Sequence, residues 1–156
     1  MIHVLFVCLG NIICRSPMAE AVFRHKVKQA GLENEVTIDS AGTSNYHEGA
    51  LPHEGTRLIL DKAGIGYENM KSRPLTRQDL ERFDYVLTMD EQNLRNVRRL
   101  GSARGTVRPL LEYAPHMGLT EVPDPYLVGG YENVYTLIDA ACDGLLAEIR
   151  RDHDLP

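Results

Sequence analysis

The sequence predicts an α/β fold with a mostly parallel sheet, and three observations support this prediction. Apolar segments rich in β-branched residues alternate along the chain with segments of helical periodicity. Residues 2–7 are apolar almost throughout, which is typical of a central strand that is covered on both faces. The last predicted helix carries one apolar face, formed by Val134, Leu137, Ile138, Ala141, Leu145 and Ile149.

Local sequence signals predict the elements between the first strand and the last helix. Ser16 and Pro17 suit an N-cap and a first helical position, so they predict a helix that continues to about residue 30. Thr76, with Asp79 three residues later, predicts the start of a short helix. The remaining predicted segments are strands at 36–40, 84–89 and, at a sheet edge, 106–110, and helices at 53–62 and 91–100.

The composition bounds the class of protein. The chain has 156 residues, of which 43% are hydrophobic and 25% charged, so residues 1–156 are expected to form a single domain. A net charge of −5 argues against a nucleic acid or an anionic membrane surface as a partner. No apolar run approaches the roughly 18 residues of a membrane span. Three cysteines do not make a disulfide framework, and a reducing cytoplasm is the expected location.

The segment from Cys8 to Arg15 carries the strongest chemical signal. Cys8 ends the first predicted strand, and a loop containing glycine and asparagine leads to the next helix. A strand, a short loop and a helix in this order direct backbone N–H groups at an anion. The same groups and Arg15 would favour a thiolate at Cys8, which makes this residue a candidate nucleophile. Arg15 could bind two phosphoryl oxygens through its planar guanidinium.

Other residues of this segment could support the chemistry. Ser16 could cap the helix, donate a hydrogen bond to the thiolate, or do both, and Asn11 could form the turn and brace the loop. Cys14 could form a disulfide with Cys8 and protect it from over-oxidation. No second pair of ligands accompanies these two cysteines, so no metal site is expected.

Asp124 is the candidate general acid and base. A thiol-dependent phosphate hydrolysis needs an acid to protonate the leaving oxygen and then a base to activate water. Asp124 lies in a loop between two prolines that stiffen its backbone, although a plain Pro-Asp-Pro turn would give the same pattern. Ligands of open α/β sheets bind beyond the carboxyl ends of the strands, where Cys8, Ser40 and Asp90 are predicted to lie.

Together these residues resemble the low-molecular-weight protein tyrosine phosphatases, and the likeness extends over essentially the whole chain. The segments that carry it are VCLGN at 7–11, ICRSPMAE at 13–20, DSAGTS at 39–44, FDY at 83–85, MDEQNL at 89–94 and DPY at 124–126. The resemblance implies a single-domain, flavodoxin-like fold in which helices flank both faces of a four-stranded parallel sheet, and it implies no cofactor. The implied substrate is a phosphotyrosine-containing protein or an aryl phosphate, and the product is inorganic phosphate. We expect a monomer or a weak dimer.

The resemblance also assigns roles to individual residues. Cys8 would form a phosphocysteine intermediate, Arg15 would bind the phosphate, and Asp124 would act first as acid and then as base. Tyr46 and Tyr126 would form aromatic walls around a phosphotyrosine ring. The residues whose amides would bind phosphate or whose side chains would brace the loop are Leu9, Gly10, Asn11, Ile12, Ile13, Cys14, Ser16 and Ser40.

The length of the loop departs from the pattern of this family. The family has five residues between the cysteine and the arginine, whereas six separate Cys8 from Arg15, and the doubled Ile12-Ile13 marks the extra residue. One residue adds up to about 3.3–3.6 Å of chain, and catalytic groups tolerate roughly 0.5 Å of misplacement. The loop could expel a bulge, distort the phosphate site, or exchange between two shapes. We expect a phosphatase whose loop is perturbed and whose turnover is reduced.

Two other functions are compatible with the sequence. A catalytically impaired protein of the same fold would bind phosphate or phosphotyrosine without turnover. An arsenate reductase of this fold would relay a disulfide through late cysteines, but the chain offers only Cys142, which is expected in the core of the last helix.

Overall fold

Strands and helices alternate in the computed structural model, which describes residues 1–8, 15–43, 54–68, 70, 73–123 and 130–156. In chain order the elements are β1 (Ile2–Cys8), α1 (Arg15–Gln29), β2 (Val36–Gly42), α2 (Glu54–Ala63), α3 (Arg77–Arg82), β3 (Tyr85–Thr88), α4 (Glu91–Leu100), β4 (Thr106–Pro109), two short 3-10 helices (Leu110–Tyr113 and Pro115–Met117) and α5 (Tyr131–Asp152). Among these residues, no helix combines the length and the apolar character that crossing a bilayer requires.

The four strands form one parallel sheet in the order β2-β1-β3-β4. Side chains of β1 point alternately to the two faces, because successive residues of a strand do so. Phe6 and Cys8 lie in a core shared with α1 and α5, whereas Leu5 and Val7 lie in a second core with α3 and α4. Helices therefore cover both faces, and the predicted α/β fold with a four-stranded parallel sheet is confirmed.

Most of the predicted elements are confirmed, with ends that differ by a residue or two, and the differences at α1 and β2 concern the candidate site. Helix α1 begins at Arg15, so Ser16 is not its N-cap. The first four N–H groups of a helix have no partner within it, so Pro17 fits several positions of the first turn and does not define the start. Strand β2 continues two residues beyond Ser40, because it pairs with β1 as far as Cys8 opposite Gly42.

The order of the strands creates a crevice at the carboxyl end of the sheet. The chain leaves β1, forms β2 on one side of it, and returns to form β3 on the other side. The connections that follow β1 and β3 therefore diverge to opposite faces. In sheets of this kind, ligands bind at such a switch point.

Candidate active site

Cys8 lies at the switch point as the last residue of β1, and its side chain is buried. Its backbone is fixed on one side by pairing with Gly42 and by the Thr43 amide, whose nitrogen donates to the Cys8 carbonyl oxygen at 3.0 Å. On the other side, the preceding residue Val7 pairs with Thr88 of β3. The central strand thus holds the candidate nucleophile between two neighbours.

Arg15 begins α1, and its side chain is buried at the same edge of the sheet. Its Nη1 donates to Oδ2 of Asp90 at 2.8 Å and to the carbonyl oxygen of Val122 at 2.9 Å. A cation in the first turn of a helix lies in an unfavourable field. Asp90 supplies a negative charge that compensates for this within the chain, and the two hydrogen bonds fix the position of the guanidinium.

Asp90 is itself held at the N-terminus of α4. Its Oδ1 accepts a hydrogen bond from the Asn93 amide at 2.8 Å, while Oδ1 of Asn93 accepts from the amides of Met89 and Asp90, both at 3.2 Å. This reciprocal capping leaves Oδ2 of Asp90 directed at Arg15. The carboxylate therefore joins the end of β3 to the start of α1.

The segment that precedes Asp124 is attached to the same edge of the sheet. The Val122 amide donates to the Met89 carbonyl oxygen at 2.8 Å, and Oε2 of Glu121 accepts from the Glu91 amide at 2.6 Å. The bond from Arg15 to the Val122 carbonyl oxygen is the third attachment. Asp124 follows Val122 by two residues in the sequence.

Ser40 lies inside β2, is buried, and is connected to α1 through an acid that the sequence analysis missed. Its hydroxyl donates to Oε1 of Glu20 at 2.6 Å, and Oε2 of Glu20 forms an ion pair with Arg24 at 2.6 Å. Burial raises the pKa of Glu20 above its ordinary value, although the Ser40 hydrogen bond and the Arg24 charge oppose the shift. Nothing in the spacing of α1 distinguishes Glu20 from a solvent-facing glutamate.

A second charged cluster was also missed by the sequence analysis. Nε of Arg73 donates to Asp39 at 2.9 Å, and its Nη1 and Nη2 donate to the two oxygens of Asp79 at 2.9 and 3.0 Å. The Gly42 amide donates to the Arg73 carbonyl oxygen at 2.9 Å. The cluster therefore fixes the extended segment before α3 against the end of β2.

Comparison with known proteins identifies the family. The model of the family described as "Low molecular weight phosphotyrosine protein phosphatase" matches residues 3–155. The chain is 46% identical to the low molecular weight protein-tyrosine-phosphatase YfkJ of Bacillus subtilis, over 99% of this chain and 100% of YfkJ. It is 40% identical to PtpA of Staphylococcus epidermidis, over 99% of this chain and 98% of PtpA. The chain belongs to the low-molecular-weight protein tyrosine phosphatase family.

Solved structures of family members share the fold. The crystal structure of YfkJ superposes with a TM-score of 0.93 at 45% identity, covering 97% of this chain and 96% of YfkJ. A protein tyrosine phosphatase from Entamoeba histolytica superposes with a TM-score of 0.90 at 32% identity, covering 98% and 99% of the two chains. Membership makes the protein a phosphoric monoester hydrolase by class.

Several predicted site residues of this family member lie outside the described residues. The structure places Cys8 at the end of β1 and bonds Arg15 to Asp90 at the same edge of the sheet, whereas Ser40 lies inside β2 and bonds Glu20. Ser16 is buried in the first turn of α1. The residues about which the structure gives no placement are Leu9, Gly10, Asn11, Ile12, Ile13, Cys14, Tyr46, Asp124 and Tyr126.

Cys142 is confirmed as a core residue. It lies on α5, is fully buried, and its Sγ is 4.0 Å from the Ala19 carbonyl oxygen of α1. Burial raises the pKa of the Cys142 thiol far above its ordinary value. This thiol is therefore inert, which argues against a relay of disulfides through it.

Proposed function

We propose that this family member is a protein tyrosine phosphatase that hydrolyses phosphotyrosine and aryl phosphates through a phosphocysteine on Cys8. The observation that carries the proposal is the attachment of three chain segments to one edge of the sheet. Cys8 ends β1 there, Arg15 is fixed there by Asp90, and the segment leading to Asp124 is bonded to Arg15 through Val122.

In the first step, the Cys8 thiolate attacks phosphorus, and the bond from phosphorus to the phenolic oxygen breaks. Asp124 donates its proton to that oxygen, so that tyrosine leaves as the neutral phenol. Arg15 binds two of the phosphoryl oxygens through its guanidinium while phosphorus passes through its trigonal geometry. The phosphate is then bonded to the Cys8 sulfur.

In the second step, water replaces the thiolate at phosphorus. Asp124, now a carboxylate, accepts a proton from the attacking water, and the phosphorus–sulfur bond breaks to release inorganic phosphate. Ser16 and Ser40 are proposed to brace the phosphate-binding loop. Tyr46 and Tyr126 are proposed to contact the aromatic ring of the substrate.

Hydrolysis of p-nitrophenyl phosphate by wild type, Cys8→Ser and Cys142→Ser tests the proposal. We expect Cys8→Ser to fall to the background rate, because a hydroxyl at this position lacks the thiolate's nucleophilicity at neutral pH. Cys142→Ser is the matched control and should retain catalysis, since its thiol is buried away from the site. Equal rates for wild type and Cys8→Ser, at background or above it, would contradict the proposal.

The six-residue spacing between Cys8 and Arg15 is proposed to slow the reaction. Deleting Ile13 would restore the five-residue spacing of the family. We expect the deletion to raise kcat for p-nitrophenyl phosphate, because the loop amides would then surround the phosphate without a bulge. An unchanged or lower kcat would mean that the longer loop is accommodated without loss.

A further inference from the structure

The backbone of Val122 is fixed at the carboxyl edge of the sheet, two residues before Asp124 in the sequence. Its amide donates to the Met89 carbonyl oxygen at 2.8 Å, and its carbonyl oxygen accepts from Nη1 of Arg15 at 2.9 Å. Its side chain is buried in the same core that contains Cys8. The segment before Asp124 is therefore bonded to the arginine that is proposed to bind the phosphate.

Glu121 adds a third attachment, through its side chain. Oε2 of Glu121 accepts a hydrogen bond from the amide of Glu91, the first residue of α4, at 2.6 Å. The first N–H groups of a helix have no partner within it and carry a partial positive charge, so a carboxylate is favourable there. Residues 118–120, which precede Glu121, are exposed. Glu121 therefore attaches the chain to α4 at the point where it returns from solvent to the sheet.

Helix α4 does not depend on this bond for its cap. Asp90 is the N-cap, and its carboxylate accepts from the Asn93 amide at 2.8 Å, while Oδ1 of Asn93 accepts from the Asp90 amide at 3.2 Å. Glu121 comes from a segment that lies 30 residues further along the chain than its donor. The bond therefore matters more for the position of that segment than for the formation of the helix.

Pro123 carries this position forward along the chain. Its ring fixes its own φ at about −65° and restricts Val122, the residue before it, to extended conformations. Two residues of chain span at most about 7 Å. The attachments of Glu121 and Val122 therefore restrict the region that the residue after Pro123 can reach.

We propose that Glu121 is a positioning residue for the general acid. Its bond to the Glu91 amide holds the segment before Asp124 at the edge of the sheet, so that the Asp124 carboxyl group reaches the leaving oxygen of the substrate. The Asp124 proton passes to that oxygen as the bond from phosphorus to oxygen breaks and the bond from phosphorus to the Cys8 sulfur forms. The inference rests on the proposed phosphatase function and adds to it a residue that touches neither the substrate nor the phosphate.

Two aryl phosphates with different leaving groups test this inference. Phenyl phosphate releases a strongly basic phenolate and needs the proton, whereas p-nitrophenyl phosphate releases a stabilised phenolate and needs it less. Because kcat/KM covers the steps up to release of the phenol, the ratio of kcat/KM for phenyl phosphate to kcat/KM for p-nitrophenyl phosphate reports on the general acid. This ratio does not depend on the fraction of active enzyme.

We expect Glu121→Ala to lower this ratio. Its kcat/KM should fall about three- to tenfold for phenyl phosphate, the factor by which loss of one capping hydrogen bond shifts a local equilibrium. For p-nitrophenyl phosphate the fall should be less than about twofold, because protonation of that leaving group matters less.

Two further variants separate the positioning of the acid from a general loss of structure. Glu121→Gln keeps an oxygen that can accept from the Glu91 amide but loses the charge, so its ratio should lie between those of wild type and Glu121→Ala. Glu91→Ala is the matched control, because it removes an exposed carboxylate from the first turn of the same helix and leaves the amide in place. It should keep the wild-type ratio.

Two results would overturn the inference. One is an unchanged ratio in Glu121→Ala, whether both rates are retained or both fall equally. The other is a change of the ratio in Glu91→Ala as large as in Glu121→Ala, which would indicate an effect of charge at the helix rather than of the bond. Either result with an active wild type would overturn this inference alone. A wild type without turnover of either substrate would overturn the proposed function together with it.

Discussion

At the scale of single residues, the arginine of the candidate site depends on a carboxylate 75 positions away. Arg15 is recognisable in the sequence because it follows a cysteine and a glycine-containing loop. Its partner is Asp90, which also caps α4. A positive charge at a helix N-terminus is unfavourable unless a negative charge lies nearby. The sequence analysis expected a bound anion in this role, and the fold also provides the Asp90 carboxylate.

Replacement of Asp90 tests whether it positions Arg15. Asp90→Asn retains a good N-cap residue but removes the charge opposite the guanidinium. We expect kcat/KM for p-nitrophenyl phosphate to fall about 10- to 100-fold, because a misplaced Arg15 binds the phosphoryl oxygens poorly. The inhibition constant for inorganic phosphate should rise as well. Glu91→Gln, at the neighbouring exposed carboxylate, is the control, and an equal effect of both variants would contradict the role of Asp90.

Glu20 makes the stability of the fold depend on pH. Burial raises its pKa in the folded state above the ordinary value of 4.5. The folded protein therefore binds more protons than the unfolded chain between these two pKa values, and the contribution of Glu20 to the free energy of unfolding falls as pH rises through that window. Glu20→Gln cannot ionise, yet its amide oxygen can still accept the Ser40 hydrogen bond.

Urea unfolding of wild type and Glu20→Gln at pH 4.5, 6 and 7.5 measures this effect. The stability of Glu20→Gln relative to wild type should increase with pH, because only wild type then carries a buried negative charge. Glu33→Gln, at an exposed glutamate, should show no such trend. A difference between Glu20→Gln and wild type that is constant over this pH range would contradict the account.

At the scale of elements, the short helix α3 is fixed by its capping acid. Oδ2 of Asp79 accepts from the Thr76 amide at 2.8 Å, and both carboxylate oxygens accept from Arg73. Burial alone would raise the pKa of Asp79, but the hydrogen bonds from Arg73 and Thr76 outweigh it and lower the pKa. The contribution of Asp79 to the free energy of unfolding is therefore fully present above its ordinary pKa of 3.8, and it is lost as the pH falls through the lowered pKa of the folded state.

Asp79→Asn should destabilise the protein by about 1.5–3 kcal/mol at pH 7, the value of a hydrogen-bonded charged group. The loss should shrink as the pH is lowered, because wild type then loses the same charge. Denaturant unfolding at pH 7 and pH 3 measures both effects. Glu81→Gln changes an exposed acid of the same helix and should cost less than about 0.5 kcal/mol. A loss of similar size in both variants would contradict the assignment.

Helix α3 also shows which features of the fold can be predicted from the sequence. The capping pair of Thr76 and Asp79 is local, three residues apart, and was predicted correctly. The contact of Asp79 with Arg73 and Asp39 depends on where the extended segment docks on β2, which no local pattern encodes. The contact between Glu20 and Ser40 is also not predictable from local sequence, because it depends on how α1 packs on the sheet.

At the scale of the whole molecule, the strand order brings the proposed chemistry to one crevice. Divergence of the connections after β1 and β3 leaves the ends of both strands open to a ligand. Alternating strand and helix patterns predicted the α/β class, and the family resemblance predicted the number of strands. The segment before Asp124 is bonded to the same edge of the sheet, through the Val122 amide and the Met89 carbonyl oxygen.

The central claim is that phosphate is transferred to Cys8, and isolation of that intermediate tests it most directly. A peptide with a radiolabelled phosphotyrosine is mixed with wild type, Cys8→Ser or Cys142→Ser and quenched during turnover with denaturing detergent at alkaline pH, where a phosphorus–sulfur bond persists. The label is then located by proteolysis and mass spectrometry. We predict label on the fragment that contains Cys8 in wild type and in Cys142→Ser, and none in Cys8→Ser. Hydrolysis without label at Cys8, continuing undiminished in Cys8→Ser, would contradict the account.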